Sequence, residues 1–389
     1  MRKGWEYKKL GEVCEVVTGT TPKTNIPEYW GKGHYWVTPA ELNDTTVYID
    51  KTERQITDEA LSKTKLRLLP VGTVLLSSRA PIGKVAIANA EMYCNQGFKN
   101  CICSEAIYNK YLFYFLRLKK DYLNSLGRGA TFKEISKSIV ESIKIPLPPL
   151  STQLAIVSEL DKINELIRLK KEQLKDFDNL AQSLFYEMFG DPVENEKGWE
   201  VKKLNDICDV RDGTHDSPKY LQNSEYILIT SKNIVNGSID FENVNYISEE
   251  DYIKINKRSK VDNGDIIMPM IGTIGNPIIA HIDGTHKFCI KNVALIKFLA
   301  DSTVNNMFIV NLMRCSSFSS YLLNQNKGGT QKFVALGAIR KLPIPLPPLS
   351  LQRLFAQRIE QIEREKSEVQ KSIQDLETLL ASRMQYWFE

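Results

Sequence analysis

A nine-residue pattern occurs twice in this chain of 389 residues, and each copy precedes a long amphipathic segment. The first copy, Ile-Pro-Leu-Pro-Pro-Leu-Ser-Thr-Gln, covers residues 145–153, and the second, Ile-Pro-Leu-Pro-Pro-Leu-Ser-Leu-Gln, covers residues 344–352. Proline cannot continue a helix, whereas a serine followed by good helix formers can begin one. The pattern therefore predicts two long helices, over residues 151–189 and 350–388, each entered from an extended arm.

Both predicted helices carry an apolar stripe with a seven-residue spacing, interrupted by Lys170 in the first helix and by Lys366 in the second. Each helix would span roughly 58 Å at 1.5 Å per residue. A narrow apolar stripe on a densely charged helix is typical of a coiled coil, so we expect the two helices to pair, although each could instead pack on its own globular domain. The residues predicted to form the coiled coil are Leu160, Ile163, Ile167, Leu174, Phe177, Leu184, Ile359, Ile362, Val369, Ile373, Leu376 and Leu380.

Other matching segments indicate that a whole unit is duplicated. Gly-Trp-Glu-x-Lys-Lys-Leu occurs at residues 4–10 and 198–204, and Gly-Thr at 19–20 and 213–214. A repeat of about 195 residues is far too long for a solenoid. Short strand patterns and helical pieces between these segments predict α+β globular parts with mainly antiparallel sheets. We expect domains at residues 1–150 and 191–349, and spacer helices at 151–190 and 350–389.

Composition and charge are those of an ordinary soluble protein. The chain has no run of eighteen apolar residues and no apolar centre of a signal peptide near its amino end. The seven cysteines lack metal-binding spacing, so we expect reduced thiols and a cytoplasmic location. Residues 1–150 contain 22 Lys and Arg against 15 Asp and Glu, whereas residues 191–349 contain 18 of each. The basic first part would suit a nucleic-acid partner.

The duplication favours a target with two halves. If the helices pair in antiparallel orientation, the two repeats are related by a pseudo-two-fold axis and can present equivalent surfaces to two half-sites of a duplex. The helices would then act as a ruler for the gap between the half-sites. Parallel pairing would remove that ruler.

Motifs for catalysis are missing from the sequence. There is no Walker A pattern for ATP and no Asn/Asp-Pro-Pro-Tyr/Phe run. The four histidines, His34, His215, His281 and His286, are not spaced for zinc binding or for nucleophilic catalysis. We therefore expect a protein without enzymatic activity, cofactor or metal.

The chain resembles the DNA specificity subunits of type I restriction–modification systems over its whole length. The resemblance is carried by the duplicated Pro-Leu-Pro-Pro-Leu-x-x-Gln and Gly-Trp-Glu-x-Lys-Lys-Leu, by Phe-Tyr-Glu-Met-Phe-Gly-Asp-Pro at residues 185–192, and by Gly-[Ala/Gly]-Thr before each arm. It implies two tandem α/β target recognition domains separated by an antiparallel coiled coil. It also implies a non-catalytic subunit that reads a bipartite, asymmetric target in double-stranded DNA. Two adenine-N6 methyltransferase subunits would bind it, and a motor-nuclease subunit could join them.

Candidate DNA-facing residues are cations, amides and hydroxyls in predicted loops, since such groups contact phosphates and base edges. Specificity should lie where the repeats differ, which favours Arg79, Lys84, Gln96, Lys232 and Asn233 for base reading. The candidates in the first repeat are Thr20, Thr21, Lys23, Arg79, Lys84, Gln96, Lys99, Arg128, Thr131 and Lys133. Those in the second are His215, Lys219, Lys232, Asn233, Asn276, Lys291, Asn292, Thr330, Gln331 and Lys332.

Two other interpretations are compatible with the sequence. The chain could be the recognition region of a single-chain restriction–methylation enzyme, or a coiled-coil adaptor that joins proteins without touching DNA. Salt-dependent DNA binding separates the adaptor from a DNA-reading protein, because contacts to phosphate weaken as salt rises.

Overall fold

The computed structural model describes residues 5–128, 133–235, 237–272, 274–299, 302–324 and 333–389. The chain divides into two compact units. Unit 1 consists of residues 1–171 and 371–389, and unit 2 consists of residues 172–370. This division cuts both long helices, so each unit combines a globular part with half of each helix. The four-part division of the chain into domains and spacers remains a prediction.

Unit 1 begins with the first repeat. Its strands are β1 (Glu6–Lys9), β2 (Cys14–Thr18), β3 (Trp30–Val37), β4 (Tyr48–Ile49), β5 (Gln55–Ile56), β6 (Val74–Leu76), β7 (Val85–Ala88), β8 (Tyr93–Cys94), β9 (Lys99–Cys103) and β10 (Lys144–Leu147). Its helices are α1 (Leu10–Val13), α2 (Asp58–Lys63), α3 (Asn109–Leu118), α4 (Lys120–Ser125) and α5 (Lys137–Ser142), followed by α6 (Leu150–Phe189), which continues into unit 2.

Unit 2 contains the second repeat. Its strands are β11 (Glu200–Lys203), β12 (Cys208–Asp212), β13 (Tyr226–Ile229), β14 (Ile234–Val235), β15 (Ser238–Ile239), β16 (Asn245–Tyr246), β17 (Ile266–Pro269), β18 (Ile278–Ile279), β19 (Lys287–Ile290), β20 (Val293–Phe298) and β21 (Pro343–Leu346). Its helices are α7 (Leu204–Ile207), α8 (Glu249–Ser259), α9 (Asn306–Arg314), α10 (Ser316–Asn324) and α11 (Leu336–Arg340), followed by α12 (Leu349–Phe388), which ends in unit 1.

The two units repeat one sheet topology. The order β2-β9-β6-β7 in unit 1 corresponds to β12-β20-β17-β18 in unit 2, and β5-β3-β8 corresponds to β16-β13-β19. Unit 1 adds β4 at the edge of its larger sheet. In the described residues, strand pairs are antiparallel except β3–β8, β4–β7 and β13–β19. The fold is therefore α+β with mainly antiparallel sheets, as predicted.

The duplicated proline-rich arm pairs with the duplicated segment at the start of each repeat. Strand β1 runs antiparallel to β10, with Tyr7 opposite Pro146, and β11 runs antiparallel to β21, with Val201 opposite Pro345. Each pairing closes its repeat by joining the first strand to the last. The two sequence motifs that mark the duplication are thus partners in one structural element, and this explains why they occur together.

A buried glutamine fixes the start of each long helix. The Gln153 carboxamide accepts a hydrogen bond from the backbone N–H of Tyr108 at 2.8 Å and donates to the carbonyls of Ala106 and Pro148 at 3.0 and 2.9 Å. Gln352 repeats this arrangement with the N–H of Asn305 and the carbonyls of Thr303 and Pro347. Both glutamines are fully buried, so these bonds satisfy groups that water cannot reach.

Within unit 1, the first half of α6 runs antiparallel to the second half of α12. Lys171 of α6 pairs with Glu377 of α12 at 2.7 Å. Glu159, which precedes Lys171 in α6, accepts hydrogen bonds from Arg383 and Trp387, which follow Glu377 in α12. The last turn of α12 joins the core of the first repeat. Phe388 lies 5.0 Å from Tyr111 and 5.8 Å from Phe115 between ring centroids.

Within unit 2, the second half of α6 runs antiparallel to the first half of α12. Lys366 pairs with Asp178 at 2.8 Å, and farther along α6 the ring of Phe189 lies 5.2 Å from that of Phe355. Phe189 also lies 4.8 Å from Phe308 in the core of the second repeat. This contact matches that between Phe388 and Tyr111 in unit 1, so each core is closed by the end of a helix from the other repeat.

The predicted coiled-coil residues lie on the inner faces of both helices. Leu160, Ile163, Ile167, Ile359, Ile362, Val369 and Ile373 are buried, and Leu174, Phe177, Leu184, Leu376 and Leu380 are half-buried. The helices begin one residue earlier than predicted and end where predicted. The antiparallel pairing is confirmed. The alternative, in which each helix packs on its own globular part, describes only the N-terminal part of each helix. Each C-terminal end packs on the core of the other repeat.

Candidate nucleic-acid interface

In unit 1, the loop after β2 lies against the loop between β8 and β9. The N–H of Thr20 donates to the carbonyl of Cys94 at 2.9 Å, and the hydroxyl of Thr21 donates to the side-chain carbonyl of Gln96. A Cβ added at Gly19 would lie 1.9 Å from the carbonyl oxygen of Asn95. Only glycine permits this approach, which explains why Gly-Thr occurs in both repeats.

Glu134 joins three of the other predicted residues of unit 1, Arg79, Lys99 and Arg128, by hydrogen bonds. The Glu134 carboxylate accepts hydrogen bonds from Arg79 Nε at 2.9 Å and from Lys99 Nζ at 3.0 Å. Its backbone exchanges two hydrogen bonds with that of Arg128, at 3.0 and 3.1 Å. Burial alone would raise the pKa of Glu134, but the two cations outweigh it and lower that pKa. We call residues 18–23, 77–84 and 95–99, together with Arg128, Lys133 and Glu134, the first loop cluster.

Exposure divides the predicted residues of this cluster into three groups. Lys23, Arg79, Gln96, Arg128 and Lys133 are exposed, and Thr20, Thr21 and Lys84 are half-buried. The Lys84 ammonium donates to the backbone carbonyl of Pro39 at 3.1 Å. Lys99 is only 5% exposed. Thr131 lies outside the described residues.

Lys99 is a correction to the sequence prediction. Its ammonium bonds to Glu134 and, at 3.3 Å, to the hydroxyl of Ser78. These internal contacts hold the charge inside the protein, so Lys99 organises the loops and does not face outwards.

In unit 2, the loop after β12 lies against the residues that follow β19. The N–H of Thr214 donates to the carbonyl of Ile290 at 3.0 Å, and a Cβ added at Gly213 would lie 2.4 Å from the same oxygen. Lys291 Nζ donates to the hydroxyl of Ser217 at 2.6 Å. We call residues 213–219, 291 and 292 the second loop cluster. It is built on the same glycine-dependent junction as the first.

His215 is the most connected side chain of the second loop cluster. Its Nε2 lies 2.7 Å from a carboxylate oxygen of Asp212, and its Nδ1 lies 3.0 Å from the side-chain oxygen of Asn292. Asp212 also pairs with Arg258. The hydrogen bond to Asp212, followed by that to Asn292, raises the pKa of His215 above its ordinary value of 6.5. Protonation therefore strengthens this network.

The other predicted residues of unit 2 have different surroundings. Lys219 is exposed, Asn292 is half-buried and Lys291 is buried. The exposed side chains of Lys232 and Asn276 line a cleft together with Arg314 and Lys366. Thr330, Gln331 and Lys332 lie outside the described residues.

Asn233 and Lys291 are further corrections. Asn233 is 3% exposed, and its carboxamide accepts from the N–H of Thr230 at 3.0 Å and donates to the carbonyl of Asn243 at 2.9 Å. Lys291 is 8% exposed and uses its ammonium to hold Ser217. Both side chains use their polar groups in internal contacts, which removes Asn233 from the base-reading candidates and Lys291 from the DNA-facing ones.

Sequence reasoning missed an aromatic group beside the first loop cluster. Trp30 and Trp36 pack edge to face with ring centroids 4.8 Å apart, and the guanidinium of Arg54 lies 3.8 Å from the Trp30 ring centroid. The available signal was the tryptophan-rich segment at residues 30–36, in a region where the repeats differ in sequence.

Metal and membrane features are lacking in the described part of the chain. No group of three or more His, Cys, Asp or Glu side chains is arranged to hold a metal ion among these residues. Among the helices described, none combines the length and apolar character needed to cross a membrane. All seven cysteines are free thiols.

Comparison with known proteins gives one consistent result. The family described as type I restriction modification DNA specificity domain matches residues 2–176 and 196–378. The type I restriction enzyme MjaIX specificity subunit of Methanocaldococcus jannaschii is 33% identical over 380 residues, covering 91% of this chain and 85% of the relative. The MjaVIII specificity subunit of the same organism is 25% identical, covering 97% of this chain and 92% of the relative.

Solved structures share the fold over nearly the whole chain. A chain from a study of complex assembly and conformational transition of the type I R-M system aligns with a TM-score of 0.65 at 19% identity, covering 99% of this chain and 97% of that one. The S subunit of the type I restriction–modification system from M. genitalium aligns with a TM-score of 0.53 at 14% identity, covering 99% and 96%. With both repeats matched by the family and the fold shared throughout, the chain belongs to the DNA specificity subunits of type I restriction–modification systems, which are the non-catalytic subunits of those systems.

Proposed function

We propose that this specificity subunit reads a bipartite, asymmetric target in double-stranded DNA, with one half-site contacted by each loop cluster. The observation that carries the proposal is the duplicated glycine-dependent junction. Gly19 and Thr20 contact the chain at the end of β8, and Gly213 and Thr214 contact the chain at the end of β19. One backbone arrangement thus presents two different sets of side chains. A protein built in this manner can offer equivalent but chemically distinct surfaces to two DNA segments.

The chemistry of the two clusters favours different half-sites. The first presents Lys23, Gln96, Arg128 and Lys133 at its surface. The second presents Lys219 and also His215, whose ring is hydrogen-bonded to the carboxylate of Asp212. Arginine and lysine suit guanine edges and phosphates, whereas glutamine suits adenine. Different side chains on matched scaffolds therefore support an asymmetric target.

We further propose that two adenine-N6 methyltransferase subunits bind this chain and that a motor-nuclease subunit can associate with them in the cytoplasm. The outward faces of the long helices support a protein partner. In unit 1, Leu166 and Leu169 of α6 are 48% and 47% exposed, and in unit 2 Leu180 is 51% exposed. Leu166 and Leu169 are three positions apart and therefore share one face of α6, and adjoining exposed apolar side chains of this kind are typical of interfaces.

Mapping methylated adenines in cells tests the proposal. The gene is expressed with its methyltransferase subunits in a host that lacks both, and the genome is sequenced for N6-methyladenine. The expected result is one methylated motif with two unlike halves and a fixed gap. A palindromic motif, or methylation that does not depend on this gene, would contradict the proposal.

A binding experiment separates this function from that of an adaptor without DNA contact. The complex is titrated with a duplex bearing the mapped motif at several salt concentrations. Affinity should fall linearly with salt on logarithmic axes, because displaced counterions are released from the phosphates. Equal affinity at all salt concentrations would favour the adaptor.

A further inference from the structure

The guanidinium of Arg54 in unit 1 is held over aromatic rings. Its central carbon lies 3.8 Å from the Trp30 ring centroid and 5.3 Å from the Trp36 ring centroid. A guanidinium that stacks on an aromatic face keeps its N–H groups available at its edges. Arg54 is exposed, so those donors face solvent.

The aromatic rings under Arg54 are fixed to the first loop cluster. The indole N–H of Trp30 donates to the carbonyl of Lys23 at 3.2 Å, and that of Trp36 donates to the carbonyl of Thr20 at 3.2 Å. Trp36 is 2% exposed and forms part of the core. The position of Arg54 is therefore tied to the loop that carries Thr20, Thr21 and Lys23.

The charge of Arg54 is available to a ligand, unlike that of two other arginines in unit 1. Arg67 pairs with Glu15 at 3.0 Å, and Arg79 pairs with Glu134 at 2.9 Å. Across residues 5–128 and the other described ranges, no carboxylate lies within ion-pair distance of the Arg54 guanidinium. The Arg54 guanidinium is thus oriented by stacking on Trp30, and its positive charge is not neutralised by a carboxylate of the described residues.

The surrounding segment differs between the repeats. Residues 27–58 contain Trp30, Trp36 and Arg54, whereas residues 218–251 of the second repeat contain no tryptophan and no arginine. A side chain that serves the shared scaffold would be expected in both repeats. A side chain that reads one half of an asymmetric target would be expected in one repeat only.

We propose that Arg54 is a specificity-determining residue that donates two hydrogen bonds to the O6 and N7 atoms of a guanine in one half-site. This inference rests on the proposed function, because it requires a half-site at the first loop cluster. A planar fork matches the two acceptors of guanine in the major groove. Stacking on Trp30 fixes that fork before binding, so less side-chain freedom is lost on contact.

The test compares Arg54→Ala and Arg54→Lys with the wild-type chain in the methyltransferase complex. Methylated adenines are mapped, and affinity is measured for the mapped duplex and for duplexes with single base-pair changes. In the wild type, replacing one guanine of one half-site should weaken binding about tenfold or more. Arg54→Ala should lose this discrimination at that position and keep the other half of the motif. Arg54→Lys should keep only part of it, because lysine can contact guanine but lacks the planar fork that stacks on Trp30.

Arg67→Ala is the matched control, since it also removes one exposed arginine from unit 1. Its motif should be unchanged. An Arg54→Ala complex that binds all duplexes more weakly while keeping the full motif would overturn the inference and make Arg54 a phosphate contact. An unchanged motif and affinity would overturn it as well. A wild-type complex without a bipartite motif would instead contradict the proposed function.

Discussion

Single side chains explain why the repeated motifs have their particular residues. Gln153 and Gln352 are the most demanding examples, because each carboxamide satisfies one N–H and two carbonyls in a buried place. The conformational role of these residues follows from hydrogen bonds that the motif alone does not reveal.

Changing Gln153 to Ala should lower the free energy of unfolding by about 1–3 kcal/mol, because buried backbone groups lose their partners. Gln352→Ala should have a similar effect in unit 2. Urea denaturation followed by circular dichroism measures both. Gln357, an exposed residue of the same helix as Gln352, supplies the control Gln357→Ala. A Gln153 variant as stable as that control would rule out the proposed role.

The stability contributed by His215 should depend on pH. The raised pKa of His215 means that the folded protein binds the proton more tightly than the unfolded chain. The resulting stabilisation is complete below the ordinary pKa of about 6.5 and is lost as pH rises through the folded value. Wild type should therefore exceed His215→Gln in stability by more at about pH 6 than at about pH 9. Chemical denaturation at both pH values measures the unfolding free energies of the two proteins. When Asp212→Asn is present in both, the stability difference between them should depend less on pH.

The two long helices and their antiparallel pairing were predictable from the sequence, whereas the contacts of the helix ends with the globular cores were not. The proline-rich arms and seven-residue spacing predicted both long helices to within one residue at each end. The sequence could not show that the aromatic end of α12 packs beside Tyr111, because this contact joins residues far apart in the chain. For the same reason, Lys99 and Lys291 were predicted to be exposed, although folding buries each one against a partner that is distant in the chain. Asn233 is instead buried by contacts with nearby residues, Thr230 and Asn243.

The end of α12 should matter for unit 1 as much as a core residue does. Phe388 is 3% exposed, so Phe388→Ala should lower the free energy of unfolding by about 3–5 kcal/mol through lost burial and a cavity. Phe189→Ala should act similarly on unit 2. Leu379 on the same helix is 45% exposed, and Leu379→Ala should cost less than about 1 kcal/mol. Equal losses for Phe388→Ala and Leu379→Ala would show that the helix end is dispensable.

At the scale of the whole molecule, the duplication was the most reliable information in the sequence. It predicted two related units and an antiparallel helix pair. The family model matches both repeats, and the ion pairs between the helices show the antiparallel orientation. Individual DNA contacts were much less predictable, since loops that share a scaffold differ in the side chains they expose. Arg54 illustrates this, because its proposed role depends on a tryptophan 24 positions earlier that lies beneath it in the fold.

The expectation that the helices set the gap between half-sites remains a prediction. Removing seven residues in register from both helices keeps the apolar spacing and shortens each by about 10 Å. The preferred gap should then shrink by about three base pairs at 3.4 Å per pair. Mapping methylated adenines for this variant gives the new gap. An unaltered gap would contradict the ruler, and the same deletion in one helix only should disrupt assembly because the apolar stripes fall out of register.

The reciprocal packing of Phe388 beside Tyr111 and of Phe189 beside Phe308 has a consequence for the origin of the chain. A gene that encoded one repeat would yield a polypeptide whose core lacks its closing aromatic residue, while its own terminal phenylalanine would have nowhere to insert. Two such polypeptides could complete each other as a homodimer and would read a palindrome with identical halves. If two such genes are fused, the terminal phenylalanine of each repeat still packs in the core of the other, but within one polypeptide. Each half is then free to evolve its own recognition sequence.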